Sequence, residues 1–262
     1  MTDGDRTVPP SSSTRGPEEI RGHIEYLCDL WATNLYNDVE FREGLDEHAA
    51  VAIHTHAHHA ARLASALLEL DGRVAGIALM PTVRLIFECG ITCAWLLTTP
   101  DAGRTLLRDG AKMRKIAIED LVRQGGEAGP GKAQAERAFD VLQHELEGTP
   151  VATMQGRCLS LKDGDHLHTL YRALSNESHA GLGITDLYVI EDERSAIGMS
   201  FEPDPVDSSR DSGLAIAAGL LFLAINADTQ ARKEPSWLPK LEQVARGLGV
   251  PLEIVRADGS TA

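Results

Sequence analysis

A chain of 262 residues with 43% hydrophobic but only 5% aromatic content can bury a sizeable core, and must fill it with Leu, Ile, Val and Ala. That is the composition of packed helices rather than of a β-sandwich. The formal charge of −14 repels phosphate backbones at long range, which argues against non-specific nucleic-acid binding while leaving a local basic cleft open.

Residues 1–17 lack the basic start and apolar core of a secretory signal, and their Ser, Pro and Gly content predicts a disordered tail ahead of one helical domain over 18–262. A helix is expected to open after Pro17, where Glu18 and Glu19 suit its positive end and Ile20, Ile24, Leu27, Leu30 and Trp31 recur at helical spacing. A longer helix follows over 43–70, with Ile53, Ala57, Ala60, Ala64, Leu67 and Leu68 forming a narrow stripe that lets another helix approach closely. The segment 73–99 is apolar nearly all round, which places it at the centre of a bundle or at a subunit interface; Pro81 kinks it or marks its true start.

Two amphipathic helices are predicted over 101–124 and 132–147, separated by the breaker GGEAGPG, and a turn-rich loop leads to another helix over 164–179. From 184 to 201 two short β-prone runs flank a charged turn, so a small β-hairpin near 185–201 is expected. The stretch 213–227 is the most apolar in the chain, but it falls short of the ~20 residues needed to cross a bilayer and reads as a buried helix. A short helix over 237–248 closes the chain. The expected fold is therefore mainly all-α, a helical bundle, with a cytoplasmic location and no membrane contact. Cys28, Cys89, Cys93 and Cys158 form no CxxC pair and no zinc pattern, so reduced, buried thiols are expected.

The densest polar constellation is YRALSNESHAG, residues 171–181. On a helix Arg172, Ser175, Asn176 and His179 make one stripe, which His168 extends by a turn, beside an apolar stripe of Leu167, Leu170, Tyr171 and Leu174. Gly181 and Gly183 predict that the helix ends near His179, where the negative end of its dipole favours an imidazolium.

The Arg-x6-His spacing of Arg172 and His179 on a late helix resembles the HEPN superfamily. The wider layout, an apolar helix reading RLIFECGITCAWLL and then YRALSNESHAG, is similar to its DUF5677-type branch over about residues 45–230. The resemblance implies metal-independent cleavage of RNA, with His179 moving a proton and Arg172 bearing charge on the phosphate. It further implies a carboxylate at Glu88, paired with Arg84 at Arg-x3-Glu spacing, that crosses to Arg172 or His179 and orients it, with Asn176 in support. Ala173 stands where HEPN nucleases usually carry a polar residue. The family's motif allows four to six residues between Arg and His, and Arg42 with His48 and Arg137 with His144 also fit it, both read as chance.

About 10 Å of helix separates residues 172 and 179, so a shared site implies two copies packed antiparallel, a homodimer. Arg84 and Glu88 by themselves read as an internal ion pair. In HTHAHH, residues 54–59, His54 and His58 stand one turn apart and could chelate a metal if a carboxylate converged on them, although the four rings point to two faces. Three functions stay open: a HEPN-like ribonuclease of toxin or defence type needing no cofactor, with RNA and an antitoxin as partners; a non-catalytic helical interaction protein; and a metal-dependent small-molecule enzyme built on the 54–59 histidines.

Overall fold

The computed structural model describes residues 16–35, 39–127, 129, 131–146, 152–179, 181–203 and 209–261, so the expected tail over 1–15 lies outside the described residues. The fold is mainly all-α, with a single two-stranded sheet among the described residues. In chain order the helices are α1 (Pro17–Asn34), α2 (Glu47–Leu70), a 3-10 turn (Gly76–Leu79), α3 (Met80–Thr98), α4 (Ala102–Arg123), α5 (Gly131–Glu145), α6 (Met154–Leu159), α7 (Gly164–Ser178) and α8 (Leu182–Tyr188). Strands β1 (Val189–Glu191) and β2 (Met199–Phe201) pair antiparallel, with Ile190 opposite Ser200, before α9 (Ser209–Ala231) and α10 (Leu238–Leu248).

Several boundaries differ from expectation for identifiable reasons. Pro17, placed in the tail, is already the first residue of α1, because proline's missing N–H is no loss there. Helix α2 starts at Glu47 rather than 43, since Gly44 has φ +82° and the Asp46 carboxylate caps the helix by accepting from the Ala49 N–H at 2.8 Å. Pro81 marks the start of α3 and does not kink it. The 147–164 loop contains α6, capped by the Thr153 hydroxyl on the Gly156 N–H. The hairpin is present, but residues 184–188 belong to α8 rather than to a strand.

Helix α3 is the hub of the bundle and packs most extensively on α9 and α2. Gly90 makes the α3–α9 approach possible, because a Cβ there would lie 2.6 Å from the Leu220 carbonyl oxygen. Most of the buried apolar side chains form one cluster, which includes Phe87, Ile86, Ile91 and Leu96 of α3 and Leu214, Leu221 and Phe222 of α9. The segments Gly76–Thr98 and Ser209–Ala231 are long and apolar enough to span a membrane, yet most of each is buried within the bundle. Helix α7 lies against α3 and α6, and this contact builds the candidate site.

Candidate functional site

Helix α7 is amphipathic, and its orientation follows from that. Leu174 is buried while Leu167, Leu170 and Tyr171 pack against the core, so the opposite stripe turns outward. Arg172, Asn176 and His179 are exposed and Ser175 is half-buried. Together with Thr169, Ala173 and Gly181 they line an open depression of about 580 Å³. The helix ends as the sequence predicts: His179 is its extended C-cap, and its backbone N–H donates to the Ser175 carbonyl.

Helix α3 supplies the other half. Arg84 Nε donates to Glu88 Oε1 at 3.0 Å, one turn along. The same guanidinium donates through Nη2 to the Tyr171 hydroxyl at 3.1 Å, and its carbon lies 5.4 Å from the Tyr171 ring centroid. Tyr171 in turn stacks on Phe87 with centroids 5.8 Å apart, which fixes the phenol. Arg84 Nη1 lies 2.8 Å from His179 Nε2. A guanidinium only donates, so Nε2 accepts and the ring proton sits on Nδ1. Partial burial works against the Arg84 charge, but the bond to Tyr171 and the nearby Glu88 carboxylate outweigh it and hold the guanidinium above its ordinary value.

One expectation is corrected here. Glu88 crosses to neither Arg172 nor His179; it holds Arg84, and Arg84 makes the crossing. Arg172 borders the depression with His179, but no hydrogen bond joins them, and Arg172 and Asn176 have no side-chain hydrogen bond or ion pair among the described residues. The polar stripe of α3 continues to Thr92, whose hydroxyl accepts from Arg157 Nη1 at 2.8 Å, while the Arg157 guanidinium sits 4.9 Å from the Trp95 ring centroid. Burial lowers the proton affinity of Arg157. Arg157 escaped the sequence reading because α6 was taken for loop.

The 54–59 histidines belong to a second polar cluster. His54 Nδ1 lies 2.9 Å from Asp228 Oδ1, and the other carboxylate oxygen accepts from Arg232 Nε at 2.8 Å. Asp228 is fully buried, and Arg232 lies 4.7 Å from the Trp237 ring centroid. Arg232 Nη2 also lies 3.3 Å from His54 Nδ1. His58 Nδ1 accepts from Trp31 Nε1 at 3.2 Å, leaving the proton on Nε2. Nδ1 of each ring is thus already engaged, in His54 by Asp228 and Arg232 and in His58 by Trp31. Burial is the leading cause that lowers the proton affinity of both His56 and His58; His56 Nδ1 also donates to the Ala52 carbonyl at 2.7 Å. No three His, Cys, Asp or Glu side chains among the described residues converge as a metal site.

Asp228 and Arg232 were missed because the apolar run was read as ending at Ala227, whereas α9 continues to Ala231. Their spacing of one helical turn at the end of an apolar run was the available signal. Compared with protein-family models, curated proteins and solved structures, the chain has no match in any of the three.

Proposed function

We propose that the protein is a metal-independent ribonuclease of the HEPN-like, toxin or defence type, whose site on α7 is completed by a second copy of the chain. The observation that carries this reading is that His179 lines one open depression with Arg172 and Asn176, which have no side-chain hydrogen bond or ion pair among the described residues, while Arg84 reaches His179 Nε2 at 2.8 Å from α3. A guanidinium, an imidazole and an amide in one depression, with a second guanidinium on the imidazole, suit a phosphodiester anion.

A phosphate entering the depression competes with His179 for the Arg84 guanidinium and frees Nε2. That nitrogen then takes the proton of the 2′-hydroxyl, the 2′-oxygen attacks phosphorus, and Arg172 and Arg84 bear the charge that develops. The 5′-oxygen departs with the proton that His179 took, leaving a 2′,3′-cyclic phosphate and a 5′-hydroxyl. One helix alone holds positions 172 and 179 about 10 Å apart, which is why the reading needs the antiparallel second copy. The same face is the surface an antitoxin would cover.

A second reading, a non-catalytic helical interaction protein, is favoured by Ala173 in the depression and by the guanidinium that already occupies Nε2. Labelled RNA incubated in chelator with the native chain, His179→Ala and Arg172→Ala separates the two. The nuclease reading expects cyclic-phosphate products from the native chain alone; cleavage that survives His179→Ala would sink it. Light scattering should give twice the chain mass, and a strict monomer at high concentration would remove the shared site.

A further inference from the structure

At the end of α7 remote from His179, the chain beyond α10 doubles back as a strap. The Leu252 carbonyl accepts from Asn226 Nδ2 at 2.7 Å and from Gln230 Nε2 at 2.8 Å, both on α9. Three residues on, the Val255 carbonyl accepts from the Lys162 N–H, and the Ala257 N–H donates to the Ser160 carbonyl, each at 2.9 Å. The strap is thus pinned to α9 on one side and to the turn before α7 on the other. Beside it lies a pocket of about 410 Å³, within the ~300–1,000 Å³ range of small-molecule sites.

Its walls are apolar, with Leu167, Leu220, Leu223 and Val250 among them, and Gly219 of α9 contributes to the lining. Glycine is a poor residue for a helix interior, so its presence there asks for a reason. At Gly90 the reason is a close neighbour; a Cβ at Gly219 would meet nothing within 4 Å. No packing contact requires the missing side chain, and what its absence preserves is room in the pocket.

The polar groups of the lining are Lys162, Asp163 and Glu253, all exposed and none in an ion pair among the described residues. Asp163 stands at the N-cap of α7, yet its carboxylate makes no capping hydrogen bond. Two uncommitted carboxylates against one ammonium make the mouth net negative, on a chain that is itself at −14.

We propose that this pocket binds a small amphiphilic amine, its apolar body over Gly219 and its protonated nitrogen at Asp163 and Glu253. The site is separate from the α7 depression and does not depend on the ribonuclease reading.

Octylamine, octanol and octanoate serve as probes, titrated into the full chain by calorimetry and by two-dimensional NMR. Octylamine is expected to saturate at millimolar concentration or below, to perturb the resonances of Gly219 and Leu223, and to bind about tenfold more tightly than octanol, with octanoate weakest. Gly219→Leu, which fills the space, should weaken octylamine binding at least about tenfold without lowering Tm. Asp163→Asn combined with Glu253→Gln should bring octylamine down to the level of octanol. Failure of octylamine to saturate, perturbations in the native chain that map elsewhere, or octanoate binding as tightly as the amine would overturn the proposal. The NMR map keeps the test decisive even if Gly219→Leu folds poorly.

Discussion

Arg84 stands between Glu88 and His179: one guanidinium donates to the carboxylate a turn away on its own helix and to an imidazole 95 residues later in the chain. The ring that would exchange a proton is therefore fixed in one tautomer by a residue outside its own helix, and the carboxylate acts on it at one remove. In nitrogen-detected NMR of the native protein, His179 should show the Nδ1–H tautomer, and Arg84→Met should release it to the mixture of an exposed imidazole. Observation of an Nε2–H tautomer in the native chain would refute the contact.

The Arg84–Glu88 pair is only partly buried, so its contribution to stability is modest. A double-mutant cycle of Arg84→Ala and Glu88→Ala in urea denaturation should give a coupling of about 0.5–1 kcal/mol. A value several times larger would mean that water is excluded from this edge of α3.

Asp71 fastens the C-terminal end of α2 to two other helices. Its carboxylate accepts from Arg21 Nη1 of α1 at 2.8 Å and from Arg210 of α9 at 2.6 and 3.0 Å. The Arg210 hydrogen bond is the main reason that its carboxyl lies below the usual range; burial opposes this and Arg21 adds to it. A depressed value means that the stabilisation is fully present above the unfolded value of about 3.9, and is lost as pH falls through the folded one. Asp71→Asn should therefore cost about 2–3 kcal/mol at pH 7, and the difference from the native chain should shrink progressively below pH ~4. A gap in urea midpoint that stays constant down to pH ~2 would contradict the clasp.

Asp228 and Arg232 are buried together, so removing the carboxylate takes the buried counter-charge away from the guanidinium. Asp228→Ala should destabilise by about 3–5 kcal/mol in urea denaturation, far more than truncation of a surface carboxylate such as Glu234. A loss below about 1 kcal/mol would show that water reaches the cluster.

The two glycines that bear on α9 should respond to one added methyl with opposite signs. Gly90→Ala drives a Cβ toward the Leu220 carbonyl and should lower stability by about 2 kcal/mol, as overpacking does. Gly219→Ala meets open space and should raise stability by about 0.5–1 kcal/mol through helix propensity. Thermal melts of the two variants check both; two shifts of the same sign would contradict the contrast.

The helices were legible because each leaves a local record. Apolar residues recur along α1 and α2 at the helical period, Pro17 and Pro81 sit where a helix may begin, and Gly181 follows where α7 stops. The failures are equally local. Six residues of α6 are too few to show a period, and α9 runs through Asp228 to Ala231, past the point where its hydropathy ends, with Arg232 directly after it. The polar stripe of α7 could be drawn from spacing alone, and it does face outward as one surface. That Tyr171, placed on the apolar stripe, would lend its hydroxyl to Arg84 could not be drawn.

By itself, then, the sequence determined where the longer helices lie and which face of the amphipathic ones is apolar, because periodicity is a property of neighbours along the chain. Only the tertiary structure decided which polar groups meet: Arg84 with His179, Asp71 with Arg210 and His54 with Asp228, pairs 95, 139 and 174 residues apart. Those meetings depend on how far each helix turns and slides against the next. That rotation and offset are set by close packing at contacts such as Gly90 on Leu220, which no single segment encodes.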